Sequence, residues 1–184
     1  MTDEAIVPFI QNIVMPSIGR LELSWNTIGD RSVKALCSRN FTRLVDLRLR
    51  TVVLIVEWLD ITNDGFKHIV NRLPWLKQLH FTGNNITYEA LHGCRPEFFE
   101  NIEVLDLSNN MLGDNFIKGL SELQPRMEHL KVISITWNDL TDAMGEYIHS
   151  MKLPWVEKFV VKSGNNLSQH AINIIYDVLN TSER

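Results

Sequence analysis

The chain has 184 residues, 45% of them hydrophobic, 22% charged and 9% aromatic, which excludes a disordered or collagen-like chain. The length suits one domain with a sizeable core. Lys and Arg number 18 against 22 Asp and Glu, a formal charge of -4, which argues against a protein that tracks nucleic-acid phosphates.

Taken in chain order, residues 1–17 read as a helix. Asp3 and Glu4 stand where a secretory signal carries positive charge, and Pro8 interrupts the apolar stretch, so no signal peptide is expected. The longest apolar run, Val52 to Val56, is too short to cross a bilayer. Two cysteines, Cys37 and Cys94, do not make a disulfide framework and read as small buried hydrophobes in a reducing compartment. The expected setting is therefore intracellular, in the cytoplasm with the nucleus left open, and away from membranes.

A repeat organises the rest. Leu21 to Ile28, Leu79 to Ile86, Leu105 to Leu112 and Ile133 to Leu140 share apolar-x-apolar-x-x-Asn-x-apolar, with Asn26, Asn84, Asn110 and Asn138 at the fixed place. Val160 to Leu167 follows more loosely with Asn165, and Arg43 to Leu49 keeps the strand half without the Asn. The aliphatic anchors Ile28, Ile61, Ile86, Leu112, Leu140 and Leu167 lie 33, 25, 26, 28 and 27 residues apart, a spacing that chance does not produce.

Alternating apolar residues predict a short strand with one buried face. The Asn amide, carrying donors and acceptors, is suited to backbone groups that an inward turn leaves unpaired. Gly29-Asp30, Thr62-Asn-Asp64, Thr87-Tyr-Glu89, Gly113-Asp114, Thr141-Asp142 and Ser168-Gln169 then carry helix N-cap chemistry, mostly with acid in the first turn. Apolar residues at helical spacing follow, such as Phe66, Ile69, Val70 and Leu73, or Phe116, Ile117 and Leu120. Pro74 and Pro154, in matching Leu-Pro-Trp segments, are expected to stop the helix and return the chain.

The pattern resembles the ribonuclease-inhibitor class of leucine-rich repeats over essentially the whole chain. That resemblance implies an α/β solenoid, a horseshoe arc of about six repeats, with a parallel sheet on the concave face and helices on the convex face. The single domain 1–184 divides into a half-repeat, 1–17, and repeats 18–40, 41–73, 74–98, 99–126, 127–153 and 154–184. The chain thus starts mid-repeat and ends on a helix, Ser168 to Leu179. Either the terminal helices act as caps or the chain is a segment of a longer array. The same class occurs in Ran GTPase-activating proteins, tropomodulins and the sensor regions of nucleotide-binding immune receptors. Two departures matter: ribonuclease inhibitor is cysteine-rich, and Ran GTPase-activating proteins carry an acidic tail where this chain ends Asn180-Thr-Ser-Glu-Arg184.

Two coils are irregular. Leu47 to Ile61 takes fourteen residues where other repeats take seven, the surplus being Thr51 to Leu59. Its strand register is either Leu47 with Leu49 or Leu54 with Val56, and the surplus is either a bulge folded back on the core or an exposed flap that docks a partner. The last repeat carries one extra residue before Asn165, which predicts a bulge.

Residues flanking the anchors should form a lattice on the concave face. The candidates for partner binding there are Arg20, Glu22 and Trp25 on the first strand, Asp46, Arg48 and Arg50 on the second, then His80, Asp106, Ser134, Trp137 and Lys158. Arg and Trp among polar residues is the composition of binding hot spots. Trp25 and Trp137, each directly before the ladder Asn, are the preferred anchors, the alternative being that each folds sideways over its turn. Trp75 and Trp155 read as structural. No glycine-rich phosphate loop occurs, His92-Gly-Cys94 lacks a second metal-binding pair, and His80 with Asp106 lacks a nucleophile. The expected protein is a non-enzymatic, monomeric scaffold or adaptor for another protein, without cofactor, metal or nucleic acid. The alternatives implied by the resemblance are a GTPase regulator, with Arg48 or Arg50 nearest to the nucleotide, and an immune-sensor-type regulatory fragment.

Overall fold

The computed structural model describes residues 1–14, 17–39, 41–49, 61–123, 126–151, 153 and 155–179. Six three-residue strands form one sheet in chain order: β1 (Arg20–Glu22), β2 (Asp46–Arg48), β3 (Gln78–His80), β4 (Val104–Asp106), β5 (Val132–Ser134) and β6 (Lys158–Val160). Every neighbouring pair is parallel, and Leu21, Leu47, Leu79, Leu105, Ile133 and Phe159 fall in one register row. All of that row except Leu21 is fully buried. The second coil therefore uses Leu47 and Leu49 as its inward pair; Thr51 to Leu59 and Arg50 lie outside the described residues.

Helices cover the other side of the core: α1 (Asp3–Asn12), α2 (Asp30–Cys37), α3 (Asn63–Arg72), α4 (Pro96–Asn101), α5 (Asp114–Leu123), α6 (Gly145–Ile148) and α7 (Gln169–Leu179). Phe66, Ile69, Val70, Phe116, Ile117 and Leu120, placed at helical spacing, are all fully buried. The core is one continuous cluster between sheet and helices, so each coil completes its neighbour's hydrophobic face. Not every coil affords a full helix. After Thr87 the chain makes only a 3-10 turn, Tyr88–Leu91, before α4, and after Thr141 a 3-10 turn, Asp142–Met144, leads into the four-residue α6. The third helix stops at Arg72, just before Pro74, as its Leu-Pro-Trp segment requires. The corresponding Leu153-Pro154-Trp155 does not stop α6, which already ends at Ile148, where the Ser150 hydroxyl turns back onto the Tyr147 carbonyl at 2.7 Å. Pro154 itself lies outside the described residues.

Two ladders of side chains join the coils. The Asn amides form the inner one. Asn110 donates to the Phe81 carbonyl of the preceding coil at 3.0 Å and accepts from Ile86 N–H at 3.2 Å. Asn138 repeats this with Leu107 O and Leu112 N, and Asn165 with Ile135 O and Leu140 N. Asn84 donates to Leu49 O at 2.9 Å, and its buried Oδ1 has no hydrogen-bond partner among the described residues. Asn26, in the first full coil, donates to its own turn, at Leu23 O and Ser24 O.

The outer ladder runs through the helix starts. Asp30 accepts from Thr62 N–H and Oγ1 at 2.9 and 2.6 Å, and Asp114 from Thr141 at 2.8 and 2.6 Å. Asp3 accepts from Gly29 N–H and the Ser32 hydroxyl, Asn63 from Thr87 N–H, and Asp142 from Ser168 N–H. These first-turn residues do more than complement a helix dipole. Each caps the helix entry of the next coil.

Candidate binding face

The side chains between the buried anchors emerge on the concave side, as strand alternation demands. On β1 and β2 they neutralise one another. Arg20 reaches Glu22 at 3.3 Å and Asp46 at 3.4 Å, while the Arg48 guanidinium grips Asp46 at 3.1 Å. Ser24 first, and then Arg20 and Arg48, hold the Glu22 carboxyl below its ordinary value. Asp46 lies buried beneath the two guanidiniums, so of the proposed contact residues it is the one that positions others and offers little surface of its own.

The middle of the face is less charged. His80 Nδ1 lies 3.8 Å from Asp106 Oδ2, Ser108 N–H donates to Asp106 at 3.1 Å, and the Ser108 and Ser134 hydroxyls meet at 2.8 Å. Burial would raise the Asp106 carboxyl, but the contacts from His80 and from the Ser108 hydroxyl and N–H outweigh it and hold it low. Asp106 is therefore charged at neutral pH. At the far end, Lys158 on β6 and Lys162 just beyond it are exposed.

The turn leaving each strand explains the two tryptophans. The residue before the ladder Asn is left-handed in every coil whose turn is described: Trp25 at φ 65°, Gly83 at 73°, Asn109 at 56°, Trp137 at 56° and Gly164 at 69°. Glycine and asparagine adopt this geometry cheaply; a tryptophan does so at a cost. Trp25 and Trp137 nonetheless stand 67% and 60% exposed. The Trp137 ring lies over the next coil's turn, so close to Gly164 that a Cβ there would collide with it. That indole leans sideways along the rim while keeping most of its surface in solvent. The extra residue of the last coil also appears here: Asn165 reaches back four residues to Val161 O, where Asn110 reaches three to Leu107 O.

Other candidate chemistry is dispersed. Among the described residues no three His, Cys, Asp or Glu side chains gather as a metal-holding group. Cys94 donates to Ala90 O at 2.9 Å, and burial pushes the thiols of Cys37 and Cys94 up to about 12, which leaves them unreactive. No described helix is long and apolar enough to cross a membrane. Sequence reasoning missed the outer ladder, although an acid or Asn directly after Thr or Gly, at Asp3, Asp30, Asn63, Asp114 and Asp142, was its visible trace.

Parallel strands in chain order, inward Asn amides bridging successive coils and helices opposite the sheet define the fold as a leucine-rich-repeat solenoid. Family models described as leucine-rich repeats match residues 15–37, 72–91 and 126–146, and also 101–123. Over 79 residues, 42% of this chain, the sequence is 32% identical to mouse protein NLRC5, of whose length that stretch is 4%. A Bacteroides fragilis protein of known structure superposes with a TM-score of 0.58 and 20% identity, over 82% of this chain and 43% of that one. The tropomodulin C-terminal domain of Caenorhabditis elegans aligns with 97% of this chain and 91% of its own, at a TM-score of 0.49 and 9% identity. The bacterial likeness concerns the fold alone.

Proposed function

We propose that the chain is a non-enzymatic scaffold that holds another protein against its concave face, with Trp25 and Trp137 as the principal contacts and Arg20, Glu22, Arg48, His80, Ser134 and Lys158 around them. The carrying observation is the pair of exposed indoles on left-handed backbone. The same turn is made elsewhere by Gly83, Asn109 and Gly164, so the coil geometry does not demand tryptophan. An aromatic side chain that costs backbone strain and exposes apolar surface is what a recognition post looks like before its partner arrives. The two posts stand four strands apart, about 19 Å at the usual spacing. Solvent-exposed Arg20 and half-buried Arg48 add the other hot-spot residue type. A GTPase-regulating role would require a guanidinium free to reach a nucleotide. Arg48 is instead committed to Asp46 through both Nε and Nη2, which favours the scaffold reading.

Affinity capture with quantitative mass spectrometry tests this. Proteins retained by the wild-type chain should be lost from a Trp25→Gly/Trp137→Gly variant and reduced with Arg48→Ala. Undiminished capture by both would move the site off the concave rim.

A further inference from the structure

We infer that the last strand of the concave face receives an extended acidic segment of the partner, with two carboxylates four residues apart and an apolar residue midway. The inference rests on the protein-binding reading and adds the chemistry of what is bound. Charge on this face is unevenly satisfied. Arg20, Glu22, Asp46 and Arg48 sum to zero and hold one another within 4.0 Å, and Asp106 has His80 beside it. Lys158 and Lys162 are exposed, and no ion pair joins either to a carboxylate among the described residues. The adjacent acid, Glu157, is exposed as well, and no ion pair among the described residues joins it to either lysine. A chain of net charge -4 thus keeps two unneutralised cations at one end of its concave face.

Their spacing is informative. By strand alternation Lys158, Val160 and Lys162 form one row, with Phe159 and Val161 turned into the core between them. Val160 is half-buried and sits opposite Ser134, while Lys158 sits opposite the half-buried Val132. The row therefore reads cation, apolar, cation over roughly 13 Å of extended chain. At its exit the Trp137 ring covers Gly164, two residues beyond Lys162. Among the described strands β6 pairs only with β5, and a segment lying along its other side would meet backbone that no described strand engages. An added strand would set its own same-face side chains against Lys158, Val160 and Lys162, and opposite charges in such cross-strand pairs attract. Edge lysines also serve simply to discourage strand addition, so the experiment must tell the two roles apart.

Random twelve-residue peptides displayed on phage, selected on the immobilised full chain, provide the test. Enriched peptides should carry Asp or Glu at i and i+4 around an apolar residue, and lose at least tenfold in retention at 0.5 M salt. A Lys158→Glu/Lys162→Glu variant, which changes only exposed side chains, should drop those peptides and select Lys- or Arg-bearing ones instead. Neutral or basic peptides on the wild type, no enrichment, or equal retention by the charge-reversed variant would each overturn the inference. So would self-association of that variant, seen by size exclusion, with peptide selection unchanged, since the lysines then only guard the edge. Failure of the underlying reading looks different: acidic peptides lost on charge reversal but fully kept by Trp25→Gly/Trp137→Gly would remove the tryptophans from the site and leave the lysine row standing.

Discussion

Replacing Asn110 with Ala should lower the unfolding free energy by roughly 2–6 kcal/mol, because a buried polar group left unpaired costs about 1–3 kcal/mol and two are created. Asn110 is 6% exposed. Its amide is the partner of Ile86 N–H and of the Phe81 carbonyl, both in the preceding coil. The other two carbonyls it touches keep a donor: Leu107 O retains Asn138, and Ser108 O retains the Gly83 N–H. The loss is therefore concentrated on the junction between the third and fourth coils. Typical domains hold 5–15 kcal/mol in all, so the substitution removes a large share. Solenoid stability is close to a sum over coils and their interfaces, so a weakened junction should also split the urea transition or flatten its slope. Asn101→Ala provides the control, since Asn101 is exposed and its amide donates only to Glu97 O and Pro74 O at the surface. A change for Asn110→Ala no larger than for Asn101→Ala would mean that the ladder carries no load.

At Trp25 and Trp137 stability and binding should separate. A left-handed conformation costs an L-residue about 1–2 kcal/mol that glycine does not pay, while glycine's looser unfolded chain returns about 0.5–1 kcal/mol of that advantage. Trp25→Gly should thus leave stability unchanged or slightly raised. Trp137→Gly should fall a little below it, having lost the ring's contact with Gly164. At either site alanine, which keeps the strain and lacks the ring, should be less stable than glycine by about 1 kcal/mol. Partner affinity should move the other way, by about thirtyfold or more per tryptophan, the loss of a hot spot worth at least 2 kcal/mol. Urea titration reads the first half and surface-bound partner titration the second. Glycine variants that destabilise as strongly as core truncations would make the two indoles structural.

Much of this architecture was legible in the residues. Leu-x-Leu with an Asn three positions on admits one register, and Leu21, Leu79, Leu105 and Ile133 occupy it together. The extra residue before Asn165 was visible as a spacing and became a bulge in the hydrogen bonds. What sequence left open had a physical reason in each case. Asp30 and Asp114 sit where a helix dipole alone would favour acid, so their bonds to Thr62 and Thr141 in the next coil could not be told from local capping. Helix α6 was expected to reach Leu153-Pro154, but the 3-10 start at Asp142 and the turn at His149 and Ser150 cut it short. Asp46 looked like a surface residue until the register brought Arg20 and Arg48 over it. The left-handed turn was the deepest omission, for only backbone angles reveal that Trp25 and Trp137 share a conformation with Gly83 and Gly164.

Hydroxyl-radical footprinting of the chain with and without its captured partner addresses the rim contact most directly, because exposed tryptophans label strongly and report their own burial. The partner should shield Trp25 and Trp137 while exposed Phe9 and Tyr88, on the helical side of the coils, label as before. Protection of Phe9 and Tyr88 with both indoles still fully reactive would contradict the account.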